Sequence, residues 1–184
     1  MMEGLGSVER VKKLRIEPVN AGLVRFFASL EDIHAAPAGP ELIHSLSIEG
    51  TISLPELEIL SIEPKANYQP FAQCSATVEP VRRLVGTRIN AGFREAVLTA
   101  MGRTRGCTHF LALAMDVAAS HTLTLFLRMR GSVPFEGRGQ PEGAWIGTGL
   151  GFEPRLENAC MGLRSESPVI VNAKAFRETS GKTD

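Results

Sequence analysis

The hydrophobic period changes partway along this chain, and that change restricts the fold more than any other feature. Between His44 and Leu54, Leu46, Ile48 and Ile52 point one way while Ser45, Ser47, Glu49, Thr51 and Ser53 point the other. That is the period of a half-buried antiparallel strand. After Pro80, the apolar residues Val81, Leu84, Val85, Ile89, Phe93, Ala96, Val97 and Ala100 recur at three- and four-residue steps. That is the period of a helix with one buried face.

The first third reads as strands at Leu14–Val19, Leu23–Leu30, His44–Leu54 and Leu57–Pro64, with Gly50 a weak spot in the third. Asn20-Ala-Gly22 and Pro37-Ala-Gly-Pro40 are turn signals between them. A meander of about four strands follows. Pro80 suits a first helical position and Gly102 a C-terminal cap, which predicts one helix over Pro80–Met101. A second, buried helix begins near Thr108, an N-cap residue type. Its far end fits either one long helix or, from Leu123, Leu125, Leu127 and Met129, a strand; the helix is preferred. The class is α+β, with an antiparallel sheet of about four or more strands packed against two central helices, in a single domain over residues 1–184. Gly131–Gly151 carries seven glycines and the sole tryptophan, Trp145. It reads as a lid-like or dimer-forming loop. The tail from Ala173 to Asp184 is expected to fray.

Composition excludes some classes of function. Twenty basic and twenty acidic residues balance, which disfavours a general nucleic-acid binder. The apolar run Phe110–Phe126 is interrupted by Asp116, Ser120, His121 and Thr122, so no membrane span is expected. The polar start, Met1–Arg15, argues against secretion. Cys74, Cys107 and Cys160 are odd in number and widely spaced, so no disulfide framework is expected. A cytoplasmic location follows as an expectation.

The segment Gly102-Arg-Thr-Arg-Gly-Cys-Thr-His109 carries the richest chemistry. Free N–H groups at a helix start attract anions, and Arg103 and Arg105 can add charge-assisted bonds. Cys107 lies just before that start, where a thiolate is favoured. His109 sits in the first helical turn, where a neutral imidazole able to act as a base is expected. Asp116, about two turns on, is too far to orient it. His44 begins a strand from which it can reach across the sheet to the helix start. His34 and His121 are weaker candidates. Arg88 falls inside the apolar stripe of the expected helix, so it must pair with an acid such as Glu49 or Glu95 or hold a substrate anion. Cys74, Cys107, His109 and Cys160 offer a Cys₃His metal set, without any paired spacing in its favour.

Several of these residues form a pattern. Leu42-Ile-His44, Cys74, Leu84-Val-Gly86 with Ile89, Gly92-Phe93, Gly106-Cys-Thr-His109 and the late Cys160 resemble the bacterial domain of unknown function 2889 family. The resemblance spans roughly Leu14 to Val171. The family pattern has an acid after its first histidine, where Ser45 stands here, and the Gly131–Gly151 stretch looks unlike the family. The resemblance implies a site location and no activity.

These readings converge on a small enzyme for an apolar or aromatic small molecule with an anionic or phenolic group. It would be a cofactor-independent lyase, hydratase or isomerase. His109 and His44 serve as acid and base, Cys107 as a further catalytic candidate, and Arg88, Arg105, Arg103 and Trp145 as substrate contacts. No cofactor is expected, a homodimer is, and the alternatives are a non-catalytic ligand-binding protein or a Cys/His metal-binding protein.

Overall fold

The structure, a computed structural model, describes residues 6–54, 56–132 and 143–180. They gather into two compact units, Met1–His121 and Thr122–Asp184.

The first unit opens with four antiparallel strands in the order β1-β2-β3-β4. They are β1 (Ser7–Asn20), β2 (Leu23–Ala36), β3 (Gly39–Ser53) and β4 (Ile59–Tyr68). The meander and its turns lie where the alternation and turn residues predict, but every strand is longer than the apolar run that announces it. Polar residues extend the ladders, because the ladder is held by backbone groups and needs no apolar side chain. One sheet face is apolar: Val24, Phe26, Ala28 and Leu30 of β2 and Leu46, Ile48 and Ile52 of β3 are all buried. Cross-strand partners share a face, so Phe26 stands over Gly50, Ala28 beside Ile48, and Leu30 beside Leu46. Gly50 is therefore a requirement. A Cβ there would come within 2.1 Å of the Ser61 carbonyl oxygen and 2.7 Å of the Phe26 ring.

The expected helix over Pro80–Met101 is broken. It forms α1 (Glu79–Arg82) and α2 (Phe93–Met101), joined by a turn-rich segment. Gly86 adopts φ +81 there, a left-handed conformation that glycine tolerates. The backbone then turns outward to the sheet: Gly86 N–H donates to Ile59 O at 2.8 Å, and Ile89 N–H to Leu57 O at 2.8 Å. Two glycines weaken the helix, and this short rung beside β4 replaces it. The apolar stripe is still honoured in part. Val81, Leu84, Ile89, Phe93 and Val97 are buried, while Val85 is exposed.

The buried helix is α3 (Thr108–Val117), with Cys107 rather than Thr108 as its N-cap. It lies on the apolar sheet face, and Phe110, Leu113, Ala114 and Val117 join the strand residues in one core. After Ala118-Ala119 the chain continues as α4 (Ser120–Ser132), which resolves the helix-or-strand alternative in favour of helix. The 25-residue run Thr108–Ser132 has a mean hydropathy of 1.6 in its most apolar window, long and apolar enough to cross a membrane by length and composition alone. The scattered polar residues do not shorten it as the sequence analysis expects. Its first half is the core helix just described.

The second unit contains α5 (Ala144–Phe152) and α6 (Pro168–Ser180). Leu150 of α5 and Ile170 and Ala173 of α6 form its buried centre, with Ile146, Leu156 and Leu163 packed around it. The expected loop over Gly131–Gly151 is thus helical from Ala144, and residues 133–142 lie outside the described residues. The close packing explains three of the glycines, Gly143 among them, where a Cβ would come within 2.3 Å of the Asn172 carbonyl oxygen. A Cβ on Gly147 would come within 2.8 Å of the Phe176 ring, and one on Gly149 within 2.9 Å of Met129 Sδ. The expected frayed tail is instead helical through Ser180; residues 181–184 lie outside the described residues.

Candidate functional site

The apolar face of the sheet ends in one polar rung. Beyond the Leu30–Leu46 pair, Asp32 of β2 stands opposite His44 of β3 on one side and Arg10 of β1 on the other. Three successive strands thus contribute one charged or titratable side chain each at the same level. The register slips just past this rung, between Asp32 and Ile33. Such bulges re-aim side chains and are common beside functional sites. The start of α3 lies over the same end and brings in His109.

Asp32 is the hub. It is 6% exposed, and a buried carboxylate must be compensated by charge and hydrogen bonds. Arg10 grips it bidentately, Nε to Oδ1 at 2.6 Å and Nη2 to Oδ2 at 2.8 Å. His44 Nδ1 lies 3.0 Å from Oδ2, and His109 Nε2 lies 3.3 Å from the same oxygen. The two imidazole centroids are 4.1 Å apart with the rings tilted by 37°. Cys107 Sγ lies 3.3 Å from the remaining ring nitrogen of His109, Nδ1. The imidazoles are not sealed: their side chains keep 20% and 18% exposure.

The electrostatics follow from this packing. The Arg10 hydrogen bonds hold the Asp32 carboxyl below the usual carboxylate range, outweighing the opposing effect of burial, with added help from the charges of Arg10 and His109. Burial pushes the His109 imidazole down from its ordinary value, and the neighbouring His44 and Arg10 push the same way against Asp32. His109 is therefore neutral near pH 7, with a lone pair to offer. Cys107 has extended backbone and no side chain caps α3, so free N–H groups of its first turn face the same end of the sheet.

His44, His109 and Cys107 are thus brought together, and the other expected contacts are elsewhere. Arg88 is not on an apolar helical stripe, because α1 ends at Arg82 and Arg88 lies in the turn-rich segment before α2. Its side chain is 57% exposed with Nε 3.7 Å from Glu58. Glu49 pairs with Lys65 instead. Arg105 donates to the carbonyls of Thr99 and Leu98 at 3.0 and 2.8 Å. It caps the C-terminus of α2 rather than holding a ligand. Arg103 is exposed at φ +58 in the turn between α2 and α3. Asp116 pairs with Lys12 at 2.7 Å, two turns from His109 as expected. Trp145 lies in the second unit, on α5. It stacks on Phe126 at 6.3 Å, and with Leu127 and Arg130 these two line a groove of about 510 Å³. The cysteines are free. Among the described residues the close group of potential metal donors is Asp32, His44 and His109, not the Cys₃His set.

The expected site residues include neither Asp32 nor Arg10. Asp32 had a signal: Val24, Phe26, Ala28 and Leu30 alternate on β2, and Asp32 takes the next inward position. A carboxylate continuing an apolar face has to be paired. Arg10 had none, since the Val8–Lys13 stretch reads as an ordinary polar surface. The position after His44 also becomes intelligible. Ser45 points to the opposite face, where its hydroxyl donates to Glu31 at 3.4 Å; an acid there would not reach the imidazoles from the rung, whose carboxylate comes from Asp32.

No curated protein and no solved structure matches the chain. A family model matches residues 9–122. The match takes in β1 from Glu9, the other three strands, α1 to α3 and the whole polar rung, and ends before Cys160, which lies outside the matched residues. The chain belongs to the family described as protein of unknown function (DUF2889).

Proposed function

We propose that the chain is a cytoplasmic enzyme whose working centre is the Asp32–His44–His109 cluster, and that it moves a proton on a small molecule in a lyase, hydratase or isomerase type of reaction. The observation that carries this is the pair of imidazoles, 4.1 Å apart, held on one buried carboxylate oxygen at 3.0 and 3.3 Å. A carboxylate fixes the tautomer and aim of a histidine, and an oriented neutral imidazole is an effective base near pH 7. His44, bonded to Asp32 through Nδ1, keeps Nε2 to exchange a proton with a substrate, and His109, bonded through Nε2, exchanges its own at Nδ1, where Cys107 Sγ lies 3.3 Å away. The uncapped start of α3 supplies N–H groups for negative charge developing on a substrate oxygen, a role the expected anchors Arg88 and Arg105 cannot fill from their positions. Three free cysteines suit a reducing compartment.

Proton transfer leaves an isotopic mark on whichever compound undergoes it. The chain is incubated in D₂O with a panel of hydroxylated aromatic and short unsaturated acids, and carbon-bound deuterium is followed by mass spectrometry and NMR. An acid that gains deuterium with the native chain should gain it about 10²- to 10⁴-fold more slowly with His109→Gln. Equal incorporation by the two proteins removes His109 from the reaction.

A further inference from the structure

We propose that Asp32 Oδ2, His44 Nδ1 and His109 Nε2 bind one divalent transition-metal ion of the zinc type, with a coordination position left open to water. The inference rests on the reading of this cluster as the working centre, keeps the reaction class, and changes the group that carries the proton.

The hydrogen bonding at Asp32 points to an ion. Oδ2 has two lone pairs, and Arg10 Nη2 at 2.8 Å takes one of them. Two imidazole nitrogens, at 3.0 and 3.3 Å, converge on what is left. As a hydrogen-bond acceptor the oxygen is oversubscribed. A cation resolves this: Oδ2 gives it the remaining lone pair, and both imidazoles turn a lone pair, rather than an N–H, toward it. The spacing agrees. Zinc–nitrogen and zinc–oxygen bonds of about 2.0–2.2 Å place neighbouring donors about 3.0–3.5 Å apart, which brackets both measured separations. One donor atom from each of the three residues lies within 4.8 Å of the other two.

The surroundings also suit an ion. Ligating carboxylates and imidazoles are held by outer partners. Arg10 holds Asp32 through both oxygens. His109, with Nε2 on the ion, carries its proton on Nδ1 and donates it to Cys107 Sγ at 3.3 Å. Two histidines and one carboxylate, with a fourth position free, form a catalytic zinc donor set. An ion there lowers the pKa of its bound water to about 7. Held by Asp32, His44 and His109, such an ion would supply a base near neutral pH and a positive charge facing the substrate.

The test uses the full chain stripped with EDTA and titrated with ZnCl₂ by calorimetry. One ion per chain is expected. His44→Gln and His109→Gln should each weaken binding at least about 100-fold, and Cys107→Ala about 10-fold, while Cys160→Ser leaves it unchanged. Circular dichroism checks that each variant is folded. Cobalt(II) in the native chain gives a second reading that needs no variant: visible d–d bands without sulfur-to-cobalt charge transfer are expected. Substoichiometric zinc, undiminished binding in folded histidine variants, or a strong thiolate charge-transfer band overturns the proposal. Proton transfer that depends on His109 in a chain that binds no zinc overturns the ion and spares the enzyme. Tight zinc binding without any deuterium incorporation overturns the enzyme and spares the ion.

Discussion

Asp32 carries more of the account than any other residue. Its carboxylate is buried and is gripped by Arg10, whose own side chain is 46% exposed. Removing the guanidinium leaves an undercompensated buried charge. Arg10→Ala is expected to destabilise the chain by about 1–3 kcal/mol, less than a fully buried pair would lose because Arg10 keeps contact with water. Urea unfolding measures this. The pKa shifts give a matching dependence on pH in the metal-stripped chain. His109 has a depressed folded pKa, so its contribution is complete above the ordinary imidazole range of about 6.5 and is lost as the pH falls below it. Asp32 is depressed as well, so its contribution is lost further down, as the pH passes through the carboxylate range. The Tm should therefore fall on acidification in two stages, and His109→Gln should flatten the first and keep the second, which Arg10 mainly sets. A Tm that rises on acidification in the native chain contradicts both assignments. At this scale the helix start made His109 and Cys107 legible, and the strand made His44 so. Asp32 was hidden because the apolar run of β2 stops at Leu30, while the strand itself continues to Ala36.

Elements built on a single period were easy to read and those interrupted by glycine were not. The β2–β3 ladder follows the alternation directly. The expected helix over Pro80–Met101 fails because periodicity does not report that Gly86 has turned left-handed, nor that the backbone of residues 86–89 has found partners beside β4. The same physics separates two substitutions. Gly86→Ala meets nothing within 4 Å, so it should cost only the left-handed penalty, about 1–2 kcal/mol. Gly50→Ala drives a methyl into the Ser61 carbonyl and the Phe26 ring. Neither can retreat without disturbing the ladder, and a loss of about 3 kcal/mol or more is expected. Chemical unfolding of the two variants side by side checks the order; a milder Gly50→Ala would mean that Phe26 does not stand over that strand.

For the molecule as a whole, the core of the first unit uses, among the described residues, none beyond Val117, and the rung with its arginine, carboxylate and two imidazoles lies wholly within that unit. A chain ended at His121 should keep its sheet signature in circular dichroism and bind zinc within about 10-fold of the full chain. Loss of the site on truncation would show that residues 122–184 complete it. The α+β class was legible because strand and helix periods occupy different parts of the sequence. The helical character of Ala144–Phe152 was not, since Gly143 before it and Gly147, Gly149 and Gly151 within it read as loop. Three of them, Gly143, Gly147 and Gly149, serve close contacts with Asn172, Phe176 and Met129. Anomalous diffraction at the zinc edge from zinc-loaded crystals tests the central claim most directly. The account predicts one strong peak within bonding distance of Asp32 Oδ2, His44 Nδ1 and His109 Nε2. A peak on the cysteines instead, or none at the rung, contradicts it.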